Sequence, residues 1–99
     1  MPARFLVEQQ HGPDYDPARR LREQTGWDRH AAFMDALLAE GFVLLGGPVG
    51  EEDGAVLVVQ ADDAQTVRER LSADPWHEGI LHLASIRPWA LWLGELPGR

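Results

Sequence analysis

Six predicted elements follow one another in the order strand, helix, strand, strand, helix, strand, which is the pattern of a ferredoxin-like α+β sandwich. In that fold two helices cover one face of a four-stranded antiparallel sheet. Two stretches with helical periodicity separate apolar stretches of strand length, and residues typical of helix starts and stops bracket both helices. At 99 residues, we expect a single domain over residues 1–99.

The first strand is predicted at Arg4–Gln10, where Phe5 and Val7 point to one side of the sheet. Residues 11–20 contain two turn-forming dipeptides, Gly-Pro and Asp-Pro, and are expected to form a loop. Residues 18–24 are expected to add a short helical turn.

The first helix is predicted at Thr25–Gly41, with Thr25 as N-cap and Gly41 ending the helix. At 100° per residue, its apolar side chains share one face with a histidine. The members of this inner face are Trp27, His30, Ala31, Phe33, Met34, Leu37 and Leu38. His30 therefore points inward, either as a core histidine bonded to a backbone carbonyl or as a functional group.

The second half of the chain begins with a strand at Phe42–Leu45 that ends at Gly46-Gly47-Pro48. A hairpin loop over residues 50–54 leads to a third strand at Ala55–Ala61. Gly46, Gly47 and Pro48 either only end a strand or let a ligand approach the backbone closely.

The second helix is expected to start at Asp62, with Gln65 completing a capping box, and to be stopped by Asp74-Pro75. Its inner face would carry Ala64, Val67 and Leu71. A fourth strand is predicted at Ile80–Arg87 and is expected to continue beyond Pro88 through Trp89–Leu93.

A sheet with one solvent-exposed face has polar residues at alternate positions of its strands. Residues 42–45 and 55–59 lack this alternation, because both stretches are continuously apolar. An exposed apolar sheet face is an association surface. We therefore expect a homodimer in which two chains pack through the face that the helices leave open.

The net charge is −7, with nine arginines and no lysine, which argues against a nucleic-acid partner and a polybasic membrane patch. No apolar run is long enough to span a bilayer, so a cytoplasmic protein is expected. Without cysteine or a helical pair of histidines four residues apart, we expect no metal and no cofactor.

Several motifs occur in a fixed order: WDRHAAFMDALLAEG, GGP after the next strand, a Val-rich third strand, DPW after the second helix, and RPW. In this order and spacing they resemble the YCII-related family. The resemblance implies a dimeric α/β barrel and a small pocket that contains a helix histidine and the aspartate of an Asp-Pro dipeptide, here His30 and Asp74. Many members carry a basic residue where this chain has Trp27, so a weaker grip on anionic substrates is expected.

Asp74 has a second interpretation as a plain turn initiator. However, a carboxylate in the last turn of a helix lies unfavourably against the negative end of the helix dipole, and such breaches of local rules favour functional sites. Trp27 and Trp76 either fill the core or line a pocket for a flat, apolar compound. We assign the substrate-binding role to Trp27, Met34, Gly46, Gly47, Pro48 and Trp76.

We therefore expect a small-molecule enzyme in which His30 is the general acid or base and Asp74 orients its ring. A dyad without a nucleophile suits lyase-like or isomerase-like proton abstraction from a small compound, cyclic ones included. Two alternatives stay open: a non-catalytic ligand-binding or accessory dimer, and a purely structural association domain. The fold itself supports many reactions and does not choose between them.

Overall fold

A computed structural model of the chain describes residues 2–94. Its elements are β1 (Ala3–His11), a short 3₁₀ turn (Leu21–Glu23), α1 (Trp27–Glu40), β2 (Val43–Pro48), β3 (Gly54–Ala61), α2 (Ala64–Leu71) and β4 (Leu81–Pro88). The strands form one antiparallel sheet in the order β2-β3-β1-β4. The predicted ferredoxin-like βαββαβ fold is confirmed.

One face of the sheet packs against both helices. Alternate residues of β1, beginning with Phe5 and Val7, point to this side and are buried. Leu37 of α1 joins the same cluster as Val67 and Leu71 of α2. Since both helices bury apolar side chains in one cluster with β1, both lie on one face, as predicted.

The opposite face is uncovered and mixed in character. Pairing across the strands places Leu6 beside Val58, with Leu45 as the other neighbour of Val58. Toward β4 this face turns polar, because the carboxylate of Glu8 accepts hydrogen bonds from Ser85 and Arg87. The open face therefore has an apolar centre beside a polar group.

The start of α1 differs from the prediction, whereas its end agrees. The N-cap is Gly26, in a left-handed conformation with φ of 81°, and not Thr25. The carbonyl of Thr25 instead accepts from the indole N–H of Trp76. Gly41 ends the helix with φ of 83°, the left-handed conformation in which glycine is favoured.

Both ends of α2 differ from the prediction. The N-cap is Asp63 and not Asp62, because the Asp63 carboxylate accepts from the backbone N–H of Thr66. The helix ends at Leu71 and not at Asp74-Pro75. Asp74 therefore lies in the turn after the helix, where the dipole argument does not apply.

The boundaries of β2 and β4 also need correction. β2 begins at Val43 and includes Gly46, Gly47 and Pro48, which pair with β3, and the strand ends at Pro48. The predicted extension of β4 over 89–93 is wrong, since the strand ends at Pro88. Trp89 still donates to the carbonyl of Arg4, but β1 begins only one residue earlier, so the ladder has no further partner.

Within the part of the chain described, no helix is long and apolar enough to cross a membrane.

Candidate functional site

His30 and Asp74, 44 residues apart in sequence, form a direct contact. Nδ1 of His30 lies 2.9 Å from both carboxylate oxygens of Asp74. Because an ionised carboxylate can only accept hydrogen bonds, the proton lies on Nδ1 and His30 is the donor. Both side chains are buried, with exposed fractions of 11% and 3%. The predicted His30–Asp74 contact is confirmed.

Asp74 is held in place by its own turn. Its carboxylate accepts from the backbone N–H of Trp76 at 2.9 Å, and its backbone N–H donates to the carbonyl of Leu71. The turn that follows α2 therefore fixes the carboxylate against His30, which enters from the first turns of α1.

Aromatic rings fix the plane of the imidazole. The ring of Trp76 stacks on that of His30, with centroids 4.1 Å apart and planes within 9°. Trp27 tilts against both rings, and the indole N–H of Trp76 donates to Thr25 at 2.7 Å. The two indoles therefore hold the imidazole of His30 in position.

The second ring nitrogen of His30 has no such partner. Nε2 makes no hydrogen bond with residues 2–94. It is nevertheless not fully buried, so a bound molecule can reach it. Since Nδ1 carries the proton of the neutral ring, Nε2 offers a lone pair. It is therefore the nitrogen of His30 that can exchange a proton with a bound compound.

His30 lines a cavity of about 250 Å³ between α1 and the adjoining strands. Five predicted binding residues also border it: Trp27, Met34, Gly46, Gly47 and Pro48. The remaining two predicted residues, Asp74 and Trp76, do not line the cavity and contact His30 instead. Five predicted residues therefore line the cavity together with His30, and the other two contact His30 without lining the cavity.

The two predicted glycines of this wall differ in their surroundings. A Cβ atom at Gly46 would overlap the Leu57 side chain and the Val56 carbonyl, so packing against β3 requires glycine there. A Cβ atom at Gly47 would meet no atom within 4 Å. Only Gly47 therefore leaves unfilled space beside the chain.

One edge of the cavity is held by Glu52 in the β2–β3 turn. Its carboxylate accepts from Nε and Nη2 of Arg20 and from the backbone N–H of Leu21, at 2.9 to 3.2 Å. The hydrogen bonds from Arg20 and then from Leu21 lower the pKa of Glu52 below its usual value. The ring N–H of His11 donates to the backbone carbonyl of Glu52 at 2.6 Å. These contacts join the turn to the loop before α1.

Sequence reasoning did not assign several other lining residues to the cavity, among them Gln9, His11, Leu21 and Glu52. Gln9 had a readable signal, because strand alternation places this polar residue on the same side as Phe5 and Val7. The other three reach the cavity through contacts between distant segments, which local patterns do not encode.

No cluster of three or more potential metal ligands occurs among residues 2–94.

Comparison with curated proteins and with solved structures found no match. The YCII-related domain matches residues 4–90, which include the whole His30–Asp74 arrangement and the strands and helices apart from Ala3 of β1. The chain therefore belongs to the YCII-related domain family.

Proposed function

We propose that this protein is a small-molecule enzyme in which His30 acts as general base and acid and Asp74 orients it. One observation carries the proposal: the buried carboxylate engages Nδ1 of His30, while Nε2 remains unpartnered on a residue that lines a cavity. An oriented imidazole with one free nitrogen is suited to proton transfer near neutral pH.

The proposed step begins with neutral His30. Nε2 takes a proton from a C–H bond of the substrate, and the electron pair of that bond forms a new double bond. In an elimination a leaving group departs with its electron pair, and the imidazolium protonates it. In an isomerisation the double bond shifts and the imidazolium returns the proton to another carbon. In both cases His30 ends neutral, ready for the next turnover.

Asp74 and Trp76 are proposed as positioning residues, since both contact His30 and neither lines the cavity. The carboxylate would stabilise the imidazolium that forms during the step. Trp27 and Met34 would contact the substrate from the α1 side. The cavity volume of about 250 Å³ restricts the substrate to a small compound.

The biological unit is proposed to be a homodimer formed through the open sheet face, in a cytoplasmic protein. Support for the dimer comes from Leu6 and Leu45, apolar residues that flank the buried Val58 on that face. Leu45 is 39% exposed in the single chain. Burial of such a patch against a second copy would stabilise both chains.

Solvent deuterium exchange tests the enzyme proposal without knowledge of the final product. A panel of small cyclic ketones, lactones and β-substituted carbonyl compounds would be incubated with the protein in D₂O and followed by proton NMR. We expect faster deuterium incorporation into at least one compound with wild-type protein, and none above background with His30→Ala.

A different outcome would identify the ligand-binding alternative. If native mass spectrometry finds a small molecule bound to the purified protein, and neither that molecule nor the panel exchanges or is converted, the protein is a binder. The enzyme proposal would then be wrong.

A further inference from the structure

Gln9 is a buried polar residue that faces the cavity and that the proposed step does not use. It lies on β1 between Ala55 of β3 and Leu83 of β4, on the side of the sheet that the helices cover. The residue is only 9% exposed and lines the cavity. Its side-chain amide has no hydrogen-bond partner within residues 2–94, yet both amide atoms keep some accessible surface.

A largely buried amide needs a hydrogen-bond partner, because buried polar groups are nearly always bonded to protein or to water. Since the Gln9 amide is open to the cavity, water or a ligand in the cavity supplies that partner. The preceding positions on this side of β1, Phe5 and Val7, are apolar and fully packed. An apolar side chain would suit position 9 equally well for folding. The amide is therefore available for a ligand.

The charges around the cavity restrict that ligand. Asp35 and Glu52 contribute carboxylates to the lining, and no arginine among residues 2–94 lines it. Glu52 is paired with Arg20, whereas Asp35 makes no ion pair with the described residues. A carboxylate or phosphate group would find no arginine here, and Asp35, an exposed residue of the lining, would repel it. The lining therefore disfavours anions.

The chemistry of an amide matches a neutral carbonyl group. The NH₂ of glutamine donates hydrogen bonds to a carbonyl oxygen, and glutamine side chains can stabilise an oxyanion that develops there. The two polar side chains that this cavity holds in a buried state are Gln9 and His30. One is a hydrogen-bond donor and the other offers a proton acceptor, which is the pair that proton removal next to a carbonyl requires.

We infer that Gln9 binds the carbonyl oxygen of an uncharged substrate and stabilises the oxyanion formed when His30 removes a proton from the adjacent carbon. In that step the C–H bond breaks and the N–H bond forms at Nε2. The electron pair forms a carbon–carbon double bond, and the carbonyl π pair moves to the oxygen that Gln9 holds. The oxyanion role rests on the proposed function, whereas carbonyl binding by Gln9 does not.

Binding of matched aromatic probes tests whether Gln9 binds a carbonyl group. Benzamide, benzoate and toluene share one ring and differ in the group that Gln9 would meet. We expect NMR titrations of wild-type protein to show benzamide binding at least tenfold tighter than benzoate. Gln9→Met, which keeps the length of the side chain, should weaken benzamide about tenfold and leave toluene unchanged.

Gln10→Met is the matched control, because Gln10 is the next residue on β1, is exposed and does not line the cavity. It should bind all probes like wild type. Benzamide binding unchanged in Gln9→Met, tighter binding of benzoate than of benzamide, or no benzamide binding to wild type would each overturn carbonyl binding by Gln9.

The oxyanion role of Gln9 is tested by deuterium-exchange kinetics with a cyclic ketone that the wild-type protein converts. Gln9→Met should lower kcat by about 10²-fold, and a loss confined to KM would overturn the oxyanion role. His30→Ala should abolish exchange and still prefer benzamide over benzoate. If wild type exchanges no compound but Gln9 still governs benzamide binding, the proposed function and the oxyanion role fail together, and carbonyl binding stands.

Discussion

At the scale of single residues, the buried carboxylate of Asp74 and the half-buried carboxylate of Glu52 join different parts of the chain. Asp74 joins the turn after α2 to His30, and its surroundings are aromatic. Glu52 joins the β2–β3 turn to the loop before α1 through Arg20 and Leu21. The Asp74 contact positions His30, and the Glu52 contacts close one edge of the cavity.

Glu52→Gln is expected to lower stability at neutral pH, because the hydrogen bonds from the Arg20 guanidinium lose their ionised acceptor and weaken. The pKa of Glu52 is lower in the folded protein than its usual value of 4.5. Its contribution is therefore fully present above about pH 4.5 and is lost as the pH falls through the folded value. Urea unfolding at pH 7 and at pH 3 should show a difference between variant and wild type that shrinks at the lower pH.

Glu51→Gln provides the control for charge alone, since Glu51 is the exposed neighbour and its carboxylate forms no ion pair with the described residues. It should unfold like wild type at both pH values. If Glu52→Gln differs from wild type equally at pH 7 and pH 3, its ion pair is not the source of the stability.

His30 and Asp74 could be predicted from the sequence for different reasons. His30 stands in the middle of an apolar helical stripe, which marks it as inward-facing. Asp74 depended on the family resemblance, because the turn that aims its carboxylate is set by a hydrogen bond from Trp76 and not by the end of a helix. Gln9 was readable from strand alternation, which places it on the same side of β1 as Phe5 and Val7.

At the scale of elements, the glycines at the ends of α1 decide where the helix begins and ends. Gly26 and Gly41 both adopt left-handed conformations, with φ of 81° and 83°. Between them the helix delivers His30, Met34 and Leu37 to the side facing the sheet. The position of His30 against Asp74 therefore depends on both turns.

Gly41→Ala should destabilise the protein by about 1–2 kcal/mol, the usual cost of a left-handed conformation for a residue with a Cβ atom. Gly47→Ala is the matched control, because its φ is not left-handed and its Cβ would meet no neighbour within 4 Å. Urea unfolding should show a loss of stability for the first variant and a change within about 0.5 kcal/mol for the second. Equal stability of Gly41→Ala and wild type would contradict the role of this cap.

Element types were predictable because each has a strong local period, whereas boundaries depended on tertiary contacts. Gly46-Gly47-Pro48 carries typical signals of a strand end, yet pairing with β3 keeps the segment extended. Trp89–Leu93 alternates like a strand, yet β1 begins too late to pair with it. In both cases the neighbouring strand decided the outcome, and its register cannot be read from the segment alone.

At the scale of the whole molecule, the sheet divides two surfaces with separate proposed roles. Its covered face and α1 enclose the cavity, and its open face presents Leu6 and Leu45 on either side of the buried Val58. Because side chains alternate along each strand, a substitution on the open face leaves the cavity wall unchanged. Association and chemistry can therefore be perturbed one at a time.

Sedimentation of wild type at micromolar concentration should show a particle of twice the chain mass of 11.0 kDa. Leu6→Glu should shift it toward monomer by placing a charge at the centre of the apolar patch, beside Glu8. Ala32→Glu, on an exposed position of α1, should remain a dimer. A monomeric wild type would contradict the proposed dimer and leave the apolar patch without an explanation.

The rate of deuterium incorporation by Asp74→Asn, measured together with its unfolding free energy, tests the central claim most directly. Asparagine can still accept from the Trp76 N–H, so stability should fall by only about 1 kcal/mol. Loss of the charge that orients His30 and stabilises the imidazolium should slow exchange by about 10²–10⁴-fold. An exchange rate equal to that of wild type in a folded Asp74→Asn protein would contradict the His30–Asp74 dyad as the source of the chemistry.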